Sequence, residues 1–353
     1  MDATPFFGYL EAMDIYAAVE AEIERRRGEI LALSHEIHAR PELSFEEKET
    51  SLLLQATLER EGFAVSAGTG GLETAFRAVA EGAGGGCVGG RPRLIYTAEM
   101  DALPGLGHGC GHNIIAAAAV WSAAVLKTVM GGTLEGSVEV VGTPAEERGS
   151  GKVALIEAGV FDGADAVLQM HPHALDTVVG QAMARRSLSV EFFGRKAHAA
   201  AAPGEGRNAL DALVLFYHSL ILQPGKLPAG CLLHGVIEEG GEAPNIIPGL
   251  ARGRFSFRTD AMSKVEPGLN MIREAARAAA ATTGCTQAVT ETGSAATTSK
   301  RNAELENLFA ALLERRGRKD PVKLRTAYGS TDLANVSHVC PTIEIMVKAG
   351  TNP

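Results

Sequence analysis

The chain has 353 residues, 46% hydrophobic and 21% charged, which is ordinary for a globular protein with one large or two medium domains. Its formal net charge of −9 argues against nucleic acid or an anionic membrane as the main partner. The five cysteines are few, odd in number and scattered, as expected of free thiols in a reducing compartment.

The N-terminal sequence does not resemble a targeting segment, because residues 1–7 lack the basic stretch of a signal peptide. The longest apolar run, residues 114–126, is rich in alanine and too short to cross a bilayer. We therefore expect a cytoplasmic protein.

Residues 16–170 are predicted to alternate helices and strands, from the spacing of their apolar residues. In chain order these elements are helices 16–40 and 46–61, strands 63–65, 75–79 and 93–98, helix 113–130, strand 136–141, helix 151–158 and strand 166–170. This order favours an α/β fold, in which a mostly parallel sheet carries helices on both faces.

The glycine-rich stretch 81–90 has two interpretations. It could hold a phosphate group, but no strand-to-helix junction with the required glycine spacing accompanies it. We expect a surface hairpin here.

The pattern changes after residue 183 to that of a small α+β insert. The insert is predicted to have the order strand-helix-strand-strand-helix-strand, which includes strand 187–193, helix 208–222, strands 231–238 and 249–258 and helix 266–283. The chain then returns to helix 302–316 and strand 342–347. We predict a first domain of residues 1–183 and 295–353, interrupted by a second domain of residues 184–294.

Four polar clusters lie where predicted parallel strands end, and sites in open α/β sheets form at these ends. The first contains Glu99 and Asp101, although an acid at this point could merely cap the next turn. The second is His108-Gly-Cys110-Gly-His112, in which glycines permit a sharp turn that brings a thiol and an imidazole together. Both groups bind zinc and similar ions well. A helix N-terminus with a buried cysteine would show the same residues.

The third cluster, Thr143-Pro-Ala-Glu146-Glu147, holds two adjacent carboxylates. They repel each other and are tolerated best near a cation, although such pairs are common on surface loops. We expect one to bind metal and the other to hold a proton of water. The fourth, Met170-His171-Pro-His173, offers an imidazole that could complete the ligand set.

Together these clusters favour a catalytic transition-metal site with open positions over a closed structural site. A serine nucleophile is not indicated, because no Gly-x-Ser-x-Gly motif occurs. Cys110 as a nucleophile with His112 as its base is a second interpretation, although two residues on one tight turn suit that pair poorly.

In this order the motifs resemble metallopeptidase family twenty of clan MH, which includes aminoacylases, hippurate hydrolase, auxin-conjugate amidohydrolases and aminobenzoyl-glutamate hydrolases. The similarity runs from His35-Glu-Ile-His38 to Gly329-Ser-Thr-Asp332 and the final strand. It looks closest to the aminobenzoyl-glutamate hydrolase and basic-dipeptidase branch. The resemblance implies a di-zinc exopeptidase-like catalytic domain with an inserted lid and dimerisation domain.

The resemblance also implies two divalent transition-metal ions, which could be zinc, manganese, cobalt or nickel. The implied ligands are Cys110, His112, Glu147 and His171. Asp101 is then a catalytic residue behind the metal site, and Glu146 is the general base. Water on such an ion has a pKa near about 7, so Glu146 would take its proton and hand it to the leaving amine.

Three residues of the insert match lid positions of the family. His198, in Gly194-Arg-Lys-Ala-His198, is implied to stabilise the oxyanion in a neighbouring subunit's site, which predicts a homodimer or larger. Asn245 and Arg258 are implied to hold the carbonyl and the free carboxylate of the substrate. An arginine suits a carboxylate because its fork makes two charge-assisted hydrogen bonds.

Two departures from the family pattern bear on activity. Relatives carry a metal-binding His shortly after the last strand, where this sequence reads Gly350-Thr-Asn-Pro353, and His338 does not match it. Many relatives also carry His at the position of Glu99, for which Cys110 is expected to substitute.

We therefore expect a metal-dependent amidohydrolase or metallopeptidase. Its substrate would be an N-acyl amino acid, an aminobenzoyl-glutamate-like conjugate or a dipeptide. The alternative is a catalytically impaired relative that binds metal or ligand. The sequence does not name the acyl group, the amino acid or the metal.

Overall fold

The structure is a computed structural model that describes residues 15–82, 92–148, 150–221, 227–318, 325–326 and 329–350. Residues 1–7 and 351–353 and most of the predicted hairpin 81–90 lie outside these ranges. The chain divides into two compact units. The first comprises residues 1–180, 300–325 and 335–353, and the second comprises residues 181–299 and 326–334.

The bounds of the elements are as follows. The helices are α1 (Ile15–Arg25), α2 (Arg27–Ala39), α3 (Lys48–Arg60), α4 (His112–Met130), α5 (Gly151–Glu157), α6 (Ala209–Leu220), α7 (Val265–Thr283), α8 (Ala303–Arg315) and α9 (Leu333–Val336). The strands are β1 (Ala64–Ala67), β2 (Phe76–Glu81), β3 (Arg93–Glu99), β4 (Ser137–Thr143), β5 (Ala166–His173), β6 (Thr177–Gln181), β7 (Ala184–Phe193), β8 (Ala197–His198), β9 (Cys231–Glu239), β10 (Ile246–Ile247), β11 (Leu250–Thr259), β12 (Thr286–Ala296), β13 (Arg325–Thr326) and β14 (Thr342–Lys348).

The large sheet has the strand order β1-β2-β4-β3-β5-β14-β6-β13. Its centre is parallel, since β3 pairs in parallel with β4 and β5, and β14 pairs in parallel with β5. Antiparallel pairs flank this centre on both sides. The predicted α/β class with a mostly parallel sheet is confirmed. The parallel centre places the carboxyl ends of β3, β4 and β5 at one edge.

Helix α4 is the core helix of the first unit and packs against β3 and β5 and against α2. Eleven of its residues are buried, most of them small or branched apolar side chains. The stretch His112–Thr133 is long and apolar enough to cross a membrane, but half of it is buried inside the unit. The helix is also longer than the predicted apolar run. Its burial on the sheet accounts for its apolar composition without a membrane.

Two predicted boundaries were wrong. The helix predicted over residues 16–40 is two helices that meet at Arg26, although helical hydrogen bonds to and from Arg26 still cross the junction. A bend that keeps those bonds leaves the apolar spacing intact, so the sequence could not show it. Strand β5 continues to His173, because β14 pairs with it along this whole length. His171 therefore lies inside the strand and not after it.

The second unit is an antiparallel sheet of order β12-β7-β11-β9, with α6 and α7 packed on one face. Alternate residues of β7 show this, because Leu188, Val190 and Phe192 are fully buried while their neighbours are more accessible. The order strand-helix-strand-strand-helix-strand matches the order predicted for the insert.

Candidate metal centre

The turn before α4 lies directly against β5. Gly111 has φ 84°, in the left-handed region, and a Cβ at this position would lie 2.5 Å from Cγ of Pro172. Only glycine permits both the conformation and the approach. As a result the Cys110 Sγ atom is 3.6 Å from Nε2 of His171, the residue before Pro172.

The imidazole of His112 is oriented by a buried carboxylate. Its Nδ1 atom is 3.1 Å from Oδ1 of Asp101, and both side chains are almost completely buried. A proton on Nδ1 that is donated to Asp101 leaves the lone pair of Nε2 for a metal. Nε2 faces Oε2 of Glu99 at 3.4 Å and Oε1 of Glu147 at 3.9 Å. Carboxylate oxygens therefore surround the nitrogen that is left for a metal.

Asp101 also holds the backbone of the acidic turn, which is the segment that carries Glu146 and Glu147. Its two oxygens accept the N–H groups of Glu146, at 3.2 Å, and Glu147, at 3.0 Å. The hydroxyl of Ser44 donates to Oδ2 of the same carboxylate at 2.7 Å. Asp101 thus fixes the positions of His112 and of both glutamates at once, which sequence reasoning did not foresee.

The predicted ligands come together as two overlapping groups. Cys110, His112 and His171 form one, and His112, Glu146 and Glu147 form the other. In each group the potential ligand atoms lie within 4.8 Å of one another. His112 belongs to both groups. The predicted ligand set and the predicted base therefore share one small volume.

The electrostatics of this volume favour a cation. Burial lowers the pKa of His171, but the hydrogen bond to Cys110 and the charges of Glu344 and Glu99 outweigh it and raise the pKa to about 9. Burial likewise opposes protonation of His112, yet the nearby Glu99 and Asp101 raise its pKa well above the usual 6.5. Negative potential that stabilises a proton on both imidazoles would stabilise a divalent ion in the same place.

The donor set fits a transition metal. A thiolate, two imidazoles and carboxylates are the ligands of zinc and its neighbours. Oε1 of Glu147 is buried and has no hydrogen-bond partner among the described residues, as expected for an oxygen that would bind a metal ion. The chemistry of the residues therefore agrees with a metal centre.

The simpler interpretation, in which Glu99 caps the next turn, was wrong. Its carboxylate is buried and accepts hydrogen bonds from Nζ of Lys152, at 2.6 Å, and Nε2 of Gln169, at 3.0 Å. The same Gln169 nitrogen is 3.4 Å from Oε1 of Glu344. Sequence reasoning missed Lys152, although a lysine followed directly by the apolar residues 153–156 of helix α5 is a signal of a buried partner.

His108 belongs to neither ligand group. It is buried, and its ring centroid is 6.3 Å from that of His38. Burial and the positive charges of His112 and His38 lower its pKa to about 4. A neutral His108 adds no positive charge beside the cluster.

Two of the three predicted lid residues are neighbours in the second unit. Strands β8 and β10 pair His198 with Ile246, and the carbonyl of Asn245 accepts from the N–H of Ala199. Nδ1 of the exposed His198 accepts from the N–H groups of Ala200, at 3.2 Å, and Ala201, at 3.1 Å. With Nδ1 as an acceptor the proton lies on Nε2, so this second ring nitrogen is a donor.

Arg258 lies near the far end of β11, eight residues beyond Leu250, and it is half-buried beside Arg185 of β7. Eight residues of extended strand span roughly 27 Å. Within this unit the structure therefore does not bring Arg258 next to His198 and Asn245. A cavity of about 460 Å³ is lined by residues 240–244 and 246–248, together with Ala199, Asn208 and Leu210.

Comparisons with known proteins give matches over most of the chain. The model of peptidase family M20/M25/M40 matches residues 95–352. The Xaa-Arg dipeptidase of Homo sapiens is 37% identical over 342 residues, which cover 91% of this chain and 77% of that protein. One of the subunits of the p-aminobenzoyl-glutamate hydrolase of Escherichia coli is 31% identical over 298 residues, 77% of this chain and 60% of that protein.

Solved structures share the fold. The aminobenzoyl-glutamate utilization protein of Klebsiella pneumoniae superposes with a TM-score of 0.74 at 20% identity, over 95% of this chain and 94% of that one. The YXEP protein of Bacillus subtilis, a dinuclear metal-binding peptidase, gives 0.69 at 20% identity, over 93% and 89% of the two chains.

Proposed function

Because this chain belongs to peptidase family M20/M25/M40, and is thus a metal-dependent peptidase or amidohydrolase, we propose that it hydrolyses its substrate at the cluster around His112. The proposed ligands of two divalent transition-metal ions are Cys110, His112, Glu147 and His171. The observation that carries this proposal is the overlap of two ligand groups at His112, each within 4.8 Å. Zinc, manganese, cobalt and nickel all suit such donors.

We assign the proton transfers to Glu146. Bound metal would polarise the amide carbonyl and lower the pKa of water, as divalent ions do in such sites. Glu146 is half-buried on a turn that Asp101 fixes, so its carboxylate is held beside His112. It would accept the proton of the attacking water and deliver it to the leaving amine. Asp101 acts through the orientation of His112.

For the substrate we propose a dipeptide or an N-acyl amino acid with a free carboxylate. Xaa-Arg dipeptidases are similar to almost the whole chain, which makes dipeptides that end in arginine the first substrates to test. We further propose that His198 stabilises the oxyanion, with Asn245 and Arg258 as substrate contacts. A donor proton on Nε2 of the exposed His198 supports this role.

We also propose that the protein is a homodimer or larger, joined through the second unit, since His198 is expected to serve a neighbouring subunit. We place it in the cytoplasm. The four cysteines at 110, 231, 285 and 340 are free thiols in the structure, which supports a reducing compartment.

The test is a comparison of wild type with Glu146→Gln on a panel of dipeptides, aminobenzoyl-glutamate and N-acyl amino acids, with added metal. We expect Glu146→Gln to lower kcat by about 100- to 10,000-fold, as loss of a general base does, while metal content is unchanged. Glu157→Gln, at an exposed acid of α5, is the control and should keep wild-type kcat. Retained turnover in Glu146→Gln would contradict the assignment. A wild type that binds metal without any turnover would favour the catalytically impaired alternative.

The contact between Cys110 and His171 supports a second candidate, a cysteine hydrolase, because a thiol beside an imidazole can act as a nucleophile. The structure pairs Cys110 with His171 at 3.6 Å, whereas the sequence suggested His112 as the base. Such an enzyme would lose activity on thiol alkylation and keep it after treatment with a chelator. The metal-dependent proposal expects loss with the chelator and recovery when metal is returned.

A further inference from the structure

The turn that carries Glu146 and Glu147 is held by a second buried carboxylate, that of Glu47. Glu47 directly precedes α3 and is fully buried. Its Oε1 atom accepts from the N–H of Ala145 at 2.9 Å and from the N–H of Phe45 at 3.0 Å. Its Oε2 atom accepts from the hydroxyl of Thr74 at 2.9 Å. Glu47 thus joins three separate segments of the first unit.

The backbone that Glu47 holds is strained. Ala145 has φ 59°, in the left-handed region, which costs a non-glycine residue about 1–2 kcal/mol. Its side chain is fully buried and it precedes Glu146, so this conformation sets the direction in which the Glu146 side chain leaves the turn. A strained conformation persists only where its surroundings fix it. The hydrogen bond to Glu47 is the contact that fixes the N–H of Ala145.

Three consecutive N–H groups of this turn end on two carboxylates. The N–H of Ala145 donates to Glu47, and those of Glu146 and Glu147 donate to Asp101. The two carboxylates come from different parts of the chain, one before α3 and one after β3. Together they fix the turn from two sides.

We propose that Glu47 is a positioning residue that holds the acidic turn in the conformation needed for Glu146 to act. The proposal rests on the proposed role of Glu146 as general base. The three hydrogen bonds of Glu47 end on Phe45, Thr74 and Ala145, none of which belongs to the ligand groups. Glu47 therefore acts on the reaction through the backbone of Ala145.

Two variants with side chains of similar length distinguish the loss of the hydrogen-bond acceptor from the loss of side-chain volume. Glu47→Gln keeps a carbonyl oxygen for the N–H groups of Ala145 and Phe45, and the Thr74 hydroxyl can accept from its amide. Glu47→Met fills the same space without an acceptor. We expect Glu47→Met to lower kcat by about 10- to 100-fold with little change in KM, because small misplacements of a catalytic group cost this much. Glu47→Gln should restore kcat close to the wild-type value.

Glu42→Ala is the matched control, because Glu42 lies in the same segment and also accepts two backbone N–H groups, those of Glu49 and Thr50. It should lower the free energy of unfolding without a change in kcat. Wild-type kcat in folded Glu47→Met would overturn the proposal. So would an equal loss of kcat in Glu42→Ala, since the effect would then be one of general stability.

Hydrogen exchange of the backbone amides gives a readout that does not depend on activity. In metal-free protein, Glu47→Met should lose protection in the peptide that contains residues 145–147, whereas Glu47→Gln and Glu42→Ala should keep it. Glu146→Gln is measured for turnover beside these variants. If Glu146→Gln stays active, the proposed function fails while the exchange data still decide whether Glu47 holds the turn. Unchanged exchange in Glu47→Met overturns the inference whatever Glu146 does.

Discussion

The Nζ atom of Lys152 lies 2.6 Å from Oε1 of Glu99, and both side chains are buried beside the candidate metal centre. Burial raises the pKa of Glu99, but the charges of Lys152 and His112 outweigh it and lower the pKa below the usual value. Gln169 donates to the same oxygen of Glu99, while the other oxygen faces His112. Lys152 therefore favours the ionised form of Glu99 next to His112.

Lys152→Met should destabilise the protein strongly. The change removes the closest positive charge to the buried Glu99 carboxylate, and breaking a buried ion pair costs about 3–5 kcal/mol. The check is urea unfolding of metal-free protein, and the added change Glu99→Gln should recover part of the loss. Lys48→Met breaks an exposed pair with Glu73 and should change the free energy of unfolding by less than about 1 kcal/mol. A loss in Lys152→Met no larger than in this control would show that the buried pair contributes little.

Asp101→Asn should weaken metal binding by about 10- to 100-fold, the usual effect of losing a partner that orients a ligand. The amide cannot accept from His112, Glu146 and Glu147 as the carboxylate does, so the imidazole and the acidic turn are no longer held in position. Isothermal titration with Mn²⁺ or Zn²⁺ measures the change. Ser44→Ala removes only one hydrogen bond to Asp101 and should keep most of the affinity. Equal affinity in Asp101→Asn and wild type would contradict the orienting role.

The convergence of the candidate ligands Cys110 and His171 could be predicted, because each stands next to a strong local signal. The glycines around Cys110 indicate a tight turn, and His171 lies on the strand next to β3 in the sheet, so topology alone brings the two together. The alternating order of strands and helices predicted the parallel sheet in the same way. Spacing and order are local properties, and local properties can be read from a sequence.

The second support of the acidic turn, Glu47, could not be predicted. Glu47 stands in Ser44-Phe-Glu-Glu47-Lys, a charged stretch that is typical of a solvated surface, and only the fold brings it within 2.9 Å of Ala145, 98 positions away. The left-handed conformation of Ala145 also lacks a sequence signal, because nothing about an alanine indicates positive φ. Long-range contacts and strain depend on the whole packing.

Assembly through the second unit can be tested at β9, an edge strand of its sheet among the described residues. Leu232, Val236 and Ile237 of this strand are exposed, with Val236 the most exposed at 55%. Exposed apolar side chains on an edge strand are typical of a surface that pairs with another chain. We expect Val236→Glu to shift the protein towards monomer in sedimentation velocity and to lower kcat. Leu52→Glu, at an exposed leucine of α3, should leave both unchanged. A wild type that is monomeric at micromolar concentration would contradict the assembly.

The reactivity of Cys110 in metal-free protein should depend on pH in a defined way. Burial raises the pKa of the thiol, but the hydrogen bonds to His112 and His171 outweigh it and lower the pKa below the usual 9.0. Since the thiolate is the reactive form, alkylation should continue below pH 9 and decline only as the pH falls through the lowered value.

Cys340 is the internal control for this measurement, because burial raises the pKa of its thiol. As the pH falls, its alkylation should therefore decline sooner than that of Cys110, and it should be slower throughout. Peptide mass spectrometry after timed iodoacetamide treatment, from pH 6 to pH 10, follows both cysteines in one sample. His171→Ala should move the Cys110 profile towards higher pH, since the partner that stabilises the thiolate is gone. Added metal should protect Cys110 and leave Cys340 unaffected. Profiles of Cys110 that coincide in wild type and His171→Ala would show that the imidazole does not stabilise the thiolate.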